Sequence, residues 1–191
     1  MRSLVLDLLR HPELTPKALV KTLSKVLFAV YTVVLVWLIL FKFSVHITSV
    51  LHYDKRSINL VPFSNSSGSS REMVENVLIF IPFGLLLAIN FKQLDFWRKL
   101  LVVVVFSLTA EIIQYIFAIG ATDITDVITN VFGGLIGLVA YDLGNRHIRQ
   151  ESLDRFIVIA GTVLLTMFLL FLAFVEVRHG VKYHSPHESG T

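Results

Sequence analysis

No cysteine occurs among the 191 residues, which excludes disulfides, thiolate metal sites and cysteine nucleophiles. Charge is scarce too: 16% of residues are Asp, Glu, Lys or Arg, where a soluble domain of this size carries roughly a quarter. Basic residues outnumber acidic ones by only 17 to 14, and they are spread along the chain. That pattern suits a topology signal and gives no nucleic-acid footprint. What is abundant is apolar: 54% of the residues are hydrophobic and the mean hydropathy is +0.72. They come in long blocks rather than short amphipathic runs, so the solvent for most of the chain must be lipid. An all-α integral membrane protein is expected.

Five stretches approach or exceed the roughly 17 to 25 residues that a spanning helix needs. They run from Ala18 to Phe41, Met73 to Phe91, Leu100 to Ala118, Ile124 to Tyr141 and Phe156 to Val175. With the N-terminus inside, the inner segments hold eleven Lys and Arg and the outer ones six. The positive-inside rule therefore predicts an inner N-terminus and an outer C-terminus. The chain divides into an inner segment 1–17, a signal-anchor helix 18–41 and an outer loop 42–72. A three-helix core 73–141, an inner loop 142–155, a fifth helix 156–175 and an outer tail 176–191 follow. Leu4 to Leu9 before Arg10 form a short apolar segment that either lies on the inner face or frays. Ser69 and Glu72 have capping-box spacing at the start of the second helix. Histidines at 179, 184 and 187 sit in a Pro- and Gly-bearing tail with no fixed metal geometry, so neither a metal site nor a cofactor is expected.

Polar groups inside spans are costly and call for partners or a water-lined cavity. Glu111 lies seven residues before the end of the third span, about 10 Å below the outer edge at 1.5 Å rise per residue. Gln114 and Tyr115 follow at i+3 and i+4, on the same face. The fourth span returns inward after a short turn, which brings Asn130 to about the same depth as Glu111. Along it Asp123, Asp126, Asn130, Gly133 and Gly137 fall at offsets 0, 3, 7, 10 and 14, one continuous helical face. Its outer half is polar, and its inner half is a G-x-x-x-G pair that permits close approach of another helix.

Glu75 and Asn76 add two more polar groups at the outer end of the second span, while the inner halves of these spans are almost purely apolar. Pro82 removes a backbone donor and should bend the second helix, widening an outward-facing pocket. Simpler roles compete. Asp123 and Asp126 have N-cap and N3 spacing, which stabilises a helix start without further purpose. Glu111 is either interhelical glue to Asn130 or a ligand- or proton-handling group.

Four motifs, in order, give the chain a family resemblance. They are Asn59-Leu60-Val61-Pro62-Phe63, the run from Glu75 to Gly84, Glu111-Ile112-Ile113-Gln114, and Asp123 to Asn130 followed by Gly133, Gly134 and Gly137. Together they resemble the VanZ family. The resemblance implies a multi-pass protein of the bacterial cytoplasmic membrane, linked with low-level resistance to teicoplanin and other lipidated glycopeptides. No catalytic residue comes with it.

Three functions follow as expectations. The first is a membrane factor, not an enzyme, whose outer pocket of Glu75, Asn76, Glu111, Gln114, Asp123, Asp126 and Asn130 binds an amphiphile. Its ligand would be a lipoglycopeptide, a lipid-linked cell-wall precursor or a membrane lipid headgroup, with Asn59, Pro62 and Phe63 shaping the rim. The second is an enzyme acting on a lipid-linked envelope substrate, with Glu75, Glu111 or Asp126 as general acid or base, or with the carboxylates holding a divalent cation through oxygen ligands. The third is a small transporter or an assembly partner, which a polar cluster confined to one leaflet supports least.

Overall fold

The computed structural model describes residues 16–41, 58–64, 68–117 and 122–182. The apolar N-terminal segment, the turn residues 118–121 and the histidines at 184 and 187 lie outside the described residues. Five helices long and apolar enough to cross a membrane make up almost all of what is described. They are α1 (Pro16–Phe41), α2 (Ser70–Asn90), α3 (Phe96–Phe117), α4 (Ile124–His147) and α5 (Gln150–Lys182). In lipid each must satisfy its own backbone, which is why uninterrupted helices carry these Leu-, Val-, Ile- and Phe-rich runs. The chain is thus a multi-pass membrane protein.

The helices extend past the apolar stretches that reveal them. α4 continues six residues beyond Tyr141 and α5 begins six before Phe156, so the expected inner loop 142–155 is helical except at Ile148 and Arg149. Hydropathy marks where lipid ends, but a helix needs only suitable ends. Arg146 and His147 in the last turn of α4, and Glu151 in the first turn of α5, complement the helix dipoles there. Gly144 O also accepts from Ile148 N at 2.9 Å, closing α4.

One short feature is not helical. β1 (Ile58–Asn59) pairs in parallel with β2 (Thr122–Asp123), Ile58 opposite Thr122 and Asn59 opposite Asp123. This bridge ties the segment before α2 to the start of α4 and marks the strand end of the bundle.

α4 is the most enclosed helix and α5 the least: 56% of the apolar window of α4 is buried against 6% for α5. Phe156, Leu164, Phe171 and Phe174 of α5 are exposed, as suits a lipid-facing helix. The centre is packed by Leu35 of α1, Phe80, Phe83 and Leu87 of α2, Val103 of α3 and Leu138 of α4, with Phe83 and Phe106 rings 4.7 Å apart. α2 stays helical through Pro82. Tyr31 of α1 donates to the Ile79 carbonyl at 2.6 Å, a side-chain bond to the backbone in the turn before the proline.

The tightest seam joins α2 to α4, and it is built of glycine. A Cβ on Gly137 would lie 2.2 Å from the Ile81 carbonyl oxygen, and one on Gly133 2.3 Å from that of Val77. Gly84 reciprocates from α2, where a Cβ would meet Gly134 O at 2.2 Å. The G-x-x-x-G pair therefore holds α4 against α2, backbone on backbone.

Candidate functional site

The start of α4 organises the strand end. Asp123 is its N-cap, with Oδ1 accepting from Thr125 N at 2.8 Å. Its Oδ2 accepts from Asn59 Nδ2 at 3.1 Å, and its own amide donates to Glu111 Oε2 at 3.1 Å. Glu111, only 3% exposed, thus anchors the backbone that enters α4. The capping role foreseen for Asp123 is present, and it belongs to a network wider than one helix.

The Asn59-to-Phe63 motif is fastened from both sides. Asn59 Nδ2 also donates to Ser64 Oγ at 2.8 Å, and Asn59 Oδ1 accepts from Val61 N at 3.2 Å, a local turn that mimics backbone. Phe63 N donates to Thr125 Oγ1 at 3.0 Å. Phe63 has φ 54°, the one non-glycine residue with positive φ among the described residues, and its tie to α4 holds that left-handed turn. Leu60, Val61, Pro62 and Phe63 all remain exposed, so the motif pins its polar residue inward and leaves an apolar tip.

Beneath this cap a cavity of about 290 Å³ lies among α1, α2, α3 and α4. It is lined by Leu38 and Ile39, by Ser69, Arg71, Glu72, Glu75 and Asn76, by Glu111 and Gln114, and by Asp126 and Asn130. Six expected residues therefore meet at one cavity: Glu75, Asn76, Glu111, Gln114, Asp126 and Asn130. Asn59, Pro62, Phe63 and Asp123 do not line it; they stand above it or cap α4. Tyr115, expected on the same face as Glu111, is exposed instead. Pro82 borders a separate apolar groove between α1, α2 and α5 and not the polar cavity, because it lies more than one turn further down α2.

The hydrogen bonds around the cavity are specific. Asn76 Nδ2 donates to Asp126 Oδ1 at 2.9 Å, joining α2 to α4. Arg71 pairs with Glu75 at 2.6 Å across one turn of α2. Asn130 shares the cavity with Glu111, as the depth match requires, but its Nδ2 donates to Ser107 Oγ at 3.0 Å on α3. Ser107 sits one turn before Glu111, so it occupies the place expected for the carboxylate. Gln114 Nε2 donates to the Ile39 carbonyl of α1 at 2.9 Å.

Two acceptors are left over. Gln114 Oε1 and Asn130 Oδ1 are buried with no hydrogen-bond partner, each in a residue only 1% exposed. The Gln114 amide cannot be turned round, since a carbonyl faces its nitrogen and can only accept, whereas the Asn130 amide faces the Ser107 hydroxyl, which accepts or donates and so suits either end. A buried acceptor without a partner costs roughly 1–3 kcal/mol, and both residues line the same cavity. The carboxylates and amides of Glu75, Asn76, Glu111, Gln114, Asp126 and Asn130 give this cavity an acceptor-rich polar wall. Among the described residues no group of three or more His, Cys, Asp or Glu is arranged to hold a metal ion.

Sequence reasoning did not foresee Leu38, Ile39, Ser107 or Thr125 at the site, nor Arg71 on the cavity wall. Ser107 and Arg71 had a signal, each four residues from Glu111 or Glu75 on the same helix. The α1 residues had none, being apolar residues in an apolar helix.

Residues 28–145 match the VanZ/LLP1 family, a stretch that covers more than half of the chain. Protein VanZ of Enterococcus faecium is 53% identical over 159 residues, covering 83% of this chain and 98% of that relative. No solved structure matches. The chain belongs to the VanZ family.

Proposed function

We propose that this VanZ family member lowers susceptibility to teicoplanin and related lipidated glycopeptides from the outer face of the bacterial cytoplasmic membrane. It does so by engaging the polar part of an amphiphile in the cavity at the strand end. Family membership supports the resistance class. The observation that carries the binding step is that six polar side chains from three helices, Glu75, Asn76, Glu111, Gln114, Asp126 and Asn130, line one cavity at the strand end. An amphiphile suits this position, because its donors would meet the carboxylates of the cavity wall while its apolar part stayed in lipid. The Lys and Arg bias of the connecting segments supports an outward-facing strand end.

The test is expression in a sensitive Gram-positive host, with teicoplanin and vancomycin susceptibility measured in parallel. Wild-type protein should raise resistance to teicoplanin selectively. Glu111→Gln, which keeps an oxygen for Asp123 N, and Asp126→Asn, which keeps one for Asn76, should abolish the shift while membrane levels stay unchanged. Full resistance with both substitutions together would refute the cavity as the working site.

A further inference from the structure

At the end of the bundle opposite the strands, a second cavity of about 390 Å³ opens between the start of α1, the α2–α3 turn and the start of α5. Lys17, Lys21, Lys25, Lys92 and Arg155 border it, against the two carboxylates Glu151 and Asp154. Both carboxylates are already engaged. Glu151 pairs with Lys17 at 2.7 Å, while Asp154 pairs with Lys92 and accepts from the Tyr141 hydroxyl at 2.8 Å.

Lys21, Lys25 and Arg155 are left with no ion-pair partner among the described residues. Their excess of three equals the formal net charge of the whole chain, +3. Lys17, Lys21 and Lys25 also follow one another at four-residue spacing on one face of α1, where like charges repel. Lys17 is answered by Glu151, and an anion in the cavity would answer Lys21 and Lys25 in the same way.

The depth and floor of the cavity narrow the anion. Three apolar spans end here, α1 and α5 at their starts and α2 at Asn90, so the cavity lies where hydrocarbon gives way to headgroups. Its polar floor is internally satisfied: Ser24 Oγ donates to Asn90 Oδ1 at 3.1 Å, and Asn90 Nδ2 donates to the Ser24 carbonyl at 3.2 Å. Val20 and Ile89 add apolar wall next to the cations. A soluble anion has no use for such a wall, whereas the glycerol and first acyl carbons of a lipid do. We infer that this cavity binds the phosphodiester headgroup of an anionic membrane phospholipid, held by Lys21, Lys25 and Arg155.

The full chain in a neutral detergent tests this, read by its thermal unfolding midpoint and by native mass spectrometry. The probes are dioctanoyl phosphatidylglycerol, dioctanoyl phosphatidylcholine and inorganic phosphate. Phosphatidylglycerol should raise the midpoint saturably and stay bound, and the other two should do neither at equal concentration. Each basic residue near an anionic headgroup contributes roughly fivefold in affinity, so the triple variant Lys21→Gln, Lys25→Gln, Arg155→Gln should bind on the order of 100-fold more weakly. Both ion pairs remain in that variant. If it fails to fold, Lys21→Gln alone should lose about fivefold. Equal affinity of wild type and variants, or an equal response to phosphatidylcholine, would overturn the site. A full shift from inorganic phosphate alone would overturn the lipid as its source.

Discussion

Replacing Gly137 by alanine adds a methyl group where α4 lies closest to α2. The new Cβ would sit 2.2 Å from Ile81 O, 2.9 Å from Leu85 N and 3.0 Å from Gly84 Cα, all backbone atoms of a packed helix. None of them can rotate away, so the two helices must part by roughly 1 Å to regain van der Waals contact. Overpacking of this kind costs about 1–3 kcal/mol, while glycine to alanine in a helix interior returns up to about 1 kcal/mol. The net expectation is a loss of up to about 3 kcal/mol, centred near about 1.5 kcal/mol. Gly161→Ala is the control, because its Cβ would meet only the end of the flexible Leu27 side chain at 3.0 Å. That variant should be neutral or slightly stabilised. Thermal and denaturant unfolding of the full chain in one detergent measures both. If Gly137→Ala is no less stable than Gly161→Ala, the glycine seam is not what holds α2 to α4.

Other consequences are open to the same assays. Asp123→Ala removes the cap on Thr125 N and the tie to Asn59, and should cost about 1–2 kcal/mol in thermal unfolding, with proteolysis near residues 58–64 accelerated. Asp154→Asn keeps a partner for the Tyr141 hydroxyl but leaves Lys92 without its counter-charge. Since Lys92 is 39% exposed, the loss should stay near or below about 1 kcal/mol and shrink as salt is raised. Reporter fusions at the C-terminus should be active only in forms that work outside the cytosol; activity of a cytosolic reporter there would reverse the orientation and remove the cavity from the drug's side.

How much could be read beforehand differs between the spans and their contacts. The five helices follow from apolar block length, because lipid makes hydropathy almost sufficient evidence for a spanning helix. Their ends do not: residues 142–147 and 150–155 are helical although too polar to reveal a span. The polar-then-glycine face of α4 was legible from the 3.6-residue period, since Asp123, Asp126, Asn130, Gly133 and Gly137 are all buried. Period alone cannot name a partner. Ser107 rather than Glu111 receives Asn130, and the Ile39 carbonyl rather than a side chain receives Gln114, because those choices depend on which helices meet. The parallel bridge between β1 and β2 was beyond reach, being two residues per strand across more than sixty positions. The inner halves of the second to fourth spans read as almost purely apolar, yet Asn90 and Tyr141 there form polar contacts with Ser24 of α1 and Asp154 of α5. Those pairings join residues from different spans, which composition within one span does not display.

The two halves of the α4 face bear on how any loss of function should be interpreted. The glycine half sets the spacing of α2 and α4, and that spacing fixes the Asn76–Asp126 bond at 2.9 Å. A substitution in the glycine half would therefore disturb the cavity by moving a wall, whatever chemistry the cavity performs. Polar substitutions of equal size act differently. Asp126→Asn retains an oxygen for Asn76, and Glu111→Gln retains one for Asp123 N, so the register of the seam and the cap of α4 both survive while a carboxyl group is lost. Loss of resistance in those variants would report on the chemistry of the cavity, and loss in Gly137→Ala would report on its shape. Only the first pair, stable in the membrane and silent in the assay, separates a binding role for these carboxylates from a structural one.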